Sequence, residues 1–98
     1  MKTFVNDEAI NVVGSCKQGM VKTTYQALCE AFGEPTYVNG DKYTSEWSLQ
    51  FFDGESADFV TATIYDWKYE TTNFGEMEWT IGGFSMEAVF EVYEALGI

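Results

Sequence analysis

The chain contains no histidine and no arginine. Without histidine there is no Ser-His-Asp or Cys-His nucleophile and no His-containing metal set. Proline occurs once and cysteine twice. Cys16 and Cys29 do not form a Cys-x-x-Cys pair, and two cysteines in such a chain read as reduced thiols rather than as a disulfide framework. No apolar run reaches membrane-spanning length. In the amino-terminal stretch MKTFVNDEAINVV, Asn6, Asp7 and Glu8 interrupt any apolar segment, which argues against a secretory signal. Repeats, low-complexity tracts and linkers are also missing. What remains is 98 residues, 46% hydrophobic and 17% aromatic, which predicts a single domain, 1–98, with one core.

Charge is the strongest global feature. Sixteen acids face five lysines, a formal net charge of −11, and the imbalance is uneven. Residues 1–52 carry six acids and four lysines, a net of −2; residues 53–98 carry ten acids and one lysine, Lys68, a net of −9. A field of that sign repels nucleic acid and anionic membranes and steers cationic partners inward. It also serves solubility alone.

Local patterns predict the elements. NDEAINVVGS reads as a lead-in and a first strand ending at Gly14. TTYQALCEAFGEP then predicts a helix over 23–32. Thr23 is placed as its N-cap with Gln26 three residues on, and Tyr25, Leu28, Cys29 and Phe32 line one face. Gly33 and Pro35 end it. Residues 43–52 alternate with period two: Tyr43, Ser45, Trp47, Leu49 and Phe51 on one side, Thr44, Glu46, Ser48 and Gln50 on the other. Residues 59–68 form a second strand in hairpin with the first, and MEWTIGG, 77–83, a third. Ser85 caps a final helix over 86–96, with Met86, Val89, Phe90, Tyr93 and Leu96 as its apolar stripe. The predicted fold is α+β: a three- to four-stranded antiparallel sheet with two helices on one face.

GSCKQGMVKTT invites comparison with a phosphate-binding loop. Gly14 and Gly19 enclose four residues, but Met20 and Val21 separate Gly19 from Lys22, whereas the phosphate cradle needs its lysine directly after the second glycine. The stretch therefore reads as a strand-to-helix connection. A weaker alternative is an anion site of Lys17, Lys22 and the helix start at Thr23. FFDGESAD offers Asp53, Glu55 and Asp58 around one glycine, a hairpin turn rather than a calcium loop. No metal and no cofactor is expected. With sixteen carboxylates, acid–base pairs cannot be singled out, so the chain does not read as an enzyme.

Trp47, Tyr65, Trp67, Trp79 and Phe84 either pack the sheet or form an aromatic patch beside acids, as protein-binding surfaces do. Glu87, Glu91 and Glu94 recur as a carboxylate row on the last helix, either a solvated face or a docking one.

The series TTYQALCEAFGEP, EWSLQFFDG, ATIYDWK and WTIGG, over about residues 14 to 84, resembles a group of small, largely uncharacterised proteins of tailed bacteriophages. The helix, Gly-x-Pro and meander layout is also similar to the repeat of β-lactamase-inhibitor-like domains. The phage resemblance carries over no catalytic residue. It implies a small soluble protein in the cytoplasm of an infected bacterium. The expected function is inhibition of a host protein, such as a CRISPR or restriction nuclease, by occupying its basic nucleic-acid-binding surface. The expected partner-binding residues are Asp58, Asp66, Glu70, Glu76, Glu78, Glu87, Glu91, Glu94 and Trp67. The alternatives are a sponge for a host signalling nucleotide, using Lys17, Lys22 and Thr23, and a virion or assembly component. No direct nucleic-acid or membrane partner is expected.

Overall fold

A computed structural model of the chain describes residues 2–7, 9–39, 44–53, 59–66 and 77–98. Among the described residues eight elements occur, in the order β1 (Lys2–Asn6), β2 (Cys16–Thr23), α1 (Tyr25–Phe32), β3 (Tyr37–Asn39), β4 (Thr44–Asp53), β5 (Phe59–Tyr65), β6 (Met77–Gly83) and α2 (Glu87–Leu96). The strands form one antiparallel sheet in the order β1-β4-β5-β6-β2, and β3 also pairs with β4. The α+β class, the β4–β5 hairpin and the β5–β6 meander follow the sequence expectation. The sheet is wider than three or four strands because the chain before α1 supplies two of its members.

That chain corrects the predicted first strand. The described residues between Asn6 and Cys16 form no strand; there Asp7 Oδ1 accepts from the Ala9 amide (2.8 Å) and Asn11 Oδ1 from the Val13 amide (3.0 Å). Such side-chain bonds compete with strand pairing. The GSCKQGMVKTT stretch is itself mostly strand. Cys16 to Thr23 pairs along β6 from Gly83 to Met77, with a register shift between Lys17 and Gly19.

Strands β1 and β3 lie end to end along one edge of β4. β1 covers Leu49 to Asp53, and β3 covers Thr44 to Glu46. At the junction the Asp7 amide donates to the Ser48 carbonyl (3.2 Å), and the Ser48 amide donates to Thr36 Oγ1 (2.8 Å). Thr36 in turn donates to the Asn6 side-chain carbonyl. Asn6 Nδ2 reaches the carbonyls of Phe32 (3.1 Å) and Glu34 (2.8 Å), joining the end of α1 to the sheet edge.

The core lies on one face of the sheet. Register places Trp47, Ile64, Ile81 and Gly19 side by side across four strands, with Leu49, Ala62 and Gly83 in the next row. Both helices meet this face. Tyr25 of α1 packs on Trp47 and Trp79, and Phe32 packs on Phe4 and Phe51. α2 sets Ala88 over Gly83 and Val89 over Gly19. A Cβ built on Gly83 would lie 2.6 Å from Ala88 Cβ, and one on Gly19 2.9 Å from a Val89 methyl.

The α1 N-cap is Thr24, whose Oγ1 accepts from the Ala27 amide at 3.0 Å, and not Thr23. Thr23 is held in β2 opposite Met77, and its carbonyl accepts from the Trp79 indole at 3.2 Å. α2 begins at Glu87 with Met86, not Ser85, at the N-cap; the Glu87 amide donates to the Ser85 hydroxyl oxygen at 3.3 Å. It ends in a Schellman arrangement: Gly97 N–H to Glu94 O and Ile98 N–H to Tyr93 O, with Gly97 left-handed at φ 77°.

Candidate protein-binding surface

α2 presents two apolar arcs, and the sheet accepts only one. An α-helix turns about 100° per residue. Setting Glu87 at zero, Ala88, Val92 and Val89 fall on one side, and Met86, Phe90 and Glu94 on the other. The structure buries Ala88, Val89 and Val92, with Tyr93 and Leu96 partly covered. Met86 and Phe90, expected in the buried stripe, are 51% and 61% exposed. The reason is the floor. Gly19 and Gly83 bring the sheet backbone close to the helix, and there only small side chains fit. Tyr93 anchors the same side by donating from its hydroxyl to the Met20 carbonyl at 2.6 Å.

This rotation breaks the expected carboxylate row. From Glu87, seven residues bring Glu94 back about 20° short of a full turn count, whereas four carry Glu91 about 40° toward Ala88. Glu87 and Glu94 are exposed; Glu91 is 7% exposed and engaged inside the fold. Asp66 is corrected in the same way. It is fully buried, and its Oδ1 accepts from the Ser45 amide at 2.8 Å, closing the end of β4 rather than meeting a partner. Glu78 is exposed on β6, directly across from Lys22 of β2. Asp58, Glu70, Glu76 and Trp67 lie outside the described residues. Of the expected docking acids, the structure therefore puts Glu78, Glu87 and Glu94 on the described surface.

The described aromatics fall into three groups, with Tyr65 partly buried between the two extremes. Trp47 and Trp79 are fully buried and stack edge-on, with ring centroids 5.5 Å apart. Phe84 is 55% exposed, and its ring edge lies 3.6 Å from where a Cβ on Gly14 would stand, beside the exposed Val13. Phe84, Met86 and Phe90 thus expose large apolar side chains within seven residues, with Glu87 and Glu94 on the same arc as Phe90. Sequence reasoning missed that Met86 and Phe90 stand outside. The signal was present in Ala88, the small residue that marks a close approach, but periodicity weighs large side chains more heavily.

The alternative anion residues do not converge. Lys17 and Lys22 are five residues apart along an extended strand, roughly 16 Å at the usual strand rise. Lys22 and Thr23 line a shallow groove of about 310 Å³ between the helices, with Ala27, Ala31 and Leu96, but Glu30 lines it too. A carboxylate there opposes an anionic ligand. Among the described residues no three His, Cys, Asp or Glu side chains are grouped to hold a metal ion.

The sheet face away from the helices is polar. Met20, Thr80, Tyr65 and Glu46 form one row across it, and Gly82, Thr63 and Ser48 the next. Burial raises the Glu46 carboxyl above its ordinary value. Burial first, then the charges of Glu46 and Cys16, raises the Tyr65 phenol. These groups can hydrogen-bond, but they bring no opposite charge together. Among the described residues no helix is long and apolar enough to cross a membrane. Comparison with protein-family models, with curated proteins and with solved structures finds no match to this chain.

Proposed function

We propose that the chain is an acidic protein-binding domain that inhibits a protein by covering its basic, nucleic-acid-binding surface. The observation that carries this is the charge: a net of −11, with −9 in residues 53–98, from which Glu78, Glu87 and Glu94 stand exposed. Complementary charge speeds encounter and selects partners. The phage resemblance directs the search to host defence factors such as CRISPR or restriction nucleases. A nucleotide sponge gains nothing from the geometry, since Lys17 and Lys22 sit far apart on a strand and Glu30 shares the Lys22 groove.

The test is capture with the tagged chain from infected bacterial lysate, followed by competition with duplex DNA. The reading expects a retained nuclease whose release by DNA and whose inhibition run in parallel. Retained proteins indifferent to DNA would sink it. With such a partner purified, the triple change Glu78→Gln, Glu87→Gln and Glu94→Gln should slow association several-fold at low salt. Each exposed pair contributes only about 0–1 kcal/mol, so single changes should be almost silent. The difference should shrink at physiological ionic strength, where the screening length is about 8 Å.

A further inference from the structure

We propose that the outward arc of α2, centred on Phe90 with Met86 beside it and Phe84 just before the helix, is the docking surface, and that its occupant is a protein presenting an apolar pocket rimmed by lysine or arginine. This rests on the reading of the chain as an acidic protein-binding domain, and names the surface and the partner's chemistry.

Three observations support it. The first is the choice of arc. α2 has two apolar sides: Ala88, Val89 and Val92, with Tyr93 and Leu96, meet the sheet, and the other is left outside with Met86 at 51% and Phe90 at 61% exposure. Met86 and Phe90 lie four residues apart on neighbouring positions of the helix, and aromatic and methionine side chains are the ones enriched at interface centres. The second is rigidity. The arc is fixed from below by Ala88 on Gly83, Val89 on Gly19 and the Tyr93 hydroxyl on Met20, and at its end by the Gly97 cap. A partner meets a pre-organised helix and orders little on binding. The third is charge. Glu87 and Glu94 stand three residues before and four after Phe90, so the anchor has carboxylates on both sides along the helix.

Charge also decides between occupants. A second copy packed on this arc would set Glu87 and Glu94 against their own counterparts, between two bodies each carrying −11. An anionic lipid surface is repelled for the same reason. A cationic rim around an apolar pocket satisfies both the ring and the acids. α2 spans about 15 Å, so the arc is the centre of an interface and not its full extent.

The test uses the full chain and three synthetic helical peptides of about 20 residues, each about 30 Å long. One has a leucine and phenylalanine stripe with lysines on its other faces. The second keeps the lysines and replaces the stripe with glutamine. The third keeps the stripe and replaces lysine with glutamate. Amide shifts of the labelled chain and titration calorimetry give site and affinity. The proposal expects the first peptide to bind best by at least tenfold, with shifts centred on residues 84–94. Phe90→Ala should cost at least tenfold at low and high salt alike, with an unchanged circular dichroism spectrum. Glu87→Gln with Glu94→Gln should cost several-fold at low salt only. If both lysine peptides bind equally and the shifts fall elsewhere, the α2 surface is overturned while the acidic-domain reading stands. If no lysine peptide binds even at low salt, that reading fails as well. If the wild type is a dimer by light scattering and Phe90→Ala is a monomer, a second copy covers the arc and the basic-partner proposal is overturned.

Discussion

The two helices lie on the same face of one sheet, yet they are held by opposite means. α1 buries its large side chains. Leu28 and Phe32 are in the core, Tyr25 packs on both tryptophans, and the outward Gln26 and Glu30 bond to each other at 3.2 Å. Two indoles grip its ends: Trp79 donates to the Thr23 carbonyl before the helix, and Trp47 to the Gly33 carbonyl after it, at 3.0 Å. α2 instead sits on glycines through Ala88, Val89 and Val92, and leaves Met86 and Phe90 outside. The difference separates two uses of an aromatic ring. In α1 the rings are core area; in α2 Tyr93 packs against the core and bonds to Met20, whereas Phe90 stands outside. Where the sheet backbone comes close, at Gly19 and Gly83, α2 meets it through Val89 and Ala88.

The largest break in this comparison comes from the aromatic grip. Trp79→Ala should destabilise the fold by about 3–5 kcal/mol, the usual cost of truncating a buried ring. It removes the contacts to Trp47 and Tyr25 and leaves the Thr23 carbonyl without its donor. Denaturant unfolding measures it. A loss below 1 kcal/mol would mean that the ring is not a core element.

The glycine seat gives the next effect. Gly83→Ala puts a methyl 2.6 Å from Ala88 Cβ and 2.9 Å from the Thr61 carbonyl oxygen. The second contact is backbone within the sheet, so the methyl cannot retreat that way and the contact with Ala88 is relieved only if the helix lifts. Overpacking of this kind costs about 1–3 kcal/mol. Hydrogen exchange should rise over α2 while α1 keeps its protection. Equal loosening of both helices would show that they do not depend on separate attachments.

How legible each attachment was in the sequence follows the same division. α1 could be placed within two residues because its punctuation is local: a threonine start, an apolar face, Gly33 and Pro35. Strands β4, β5 and β6 showed period-two or β-branched patterns; Ser45, Trp47, Leu49 and Phe51 of the predicted face are buried, but so is Ser48 of the other, and Tyr43 lies outside the described residues. β2 was hidden, since its glycine and lysines suggested a loop and only its pairing with β6 makes it a strand. β1 and the three-residue β3 share an edge that depends on Asn6 reaching the end of α1, a contact with no local trace. The candidate surface was half visible. Glu87 and Glu94 were named from spacing, but Glu91 and Asp66 were misplaced because the rotation of α2 and the closure of β4 are set by tertiary contacts. Phe90 was assigned to the core for the same reason.

A smaller effect sharpens the contrast from the α1 side. Burial raises the Cys29 thiol above its ordinary value of 9.0, and burial together with Cys29 raises the Tyr25 phenol above 10.0. A raised folded-state value means that the unfolded chain loses its proton first. The stabilising contribution of the neutral thiol is therefore complete below pH 9 and is lost as pH climbs through and beyond that value. Cys29→Ala should flatten the fall in stability between pH 9 and 10.5, measured by denaturant midpoints. In the unmodified chain, exposed Cys16 should react with a thiol reagent faster than half-buried Cys29, and unfolding should abolish the difference. Equal native rates would show that the α1 face admits solvent.

The smallest stability effect is expected at Phe90, and its smallness is the point. The ring is 61% exposed, so truncation removes little buried area. Alanine is also the better helix former by about half a kcal/mol, which offsets part of any loss. Phe90→Ala should therefore shift unfolding free energy by no more than about 0.5 kcal/mol, the range of surface changes away from special features. Phe32→Ala is the matched control on α1: the same chemical change, made to a buried ring that meets Phe4 and Phe51, should cost about 3–5 kcal/mol. A similar loss at both positions would place Phe90 in the core and return α2 to the stripe that periodicity alone suggests. A wide gap means that the ring at position 90 contributes almost nothing to folding, as expected of a side chain that the fold holds out for a partner.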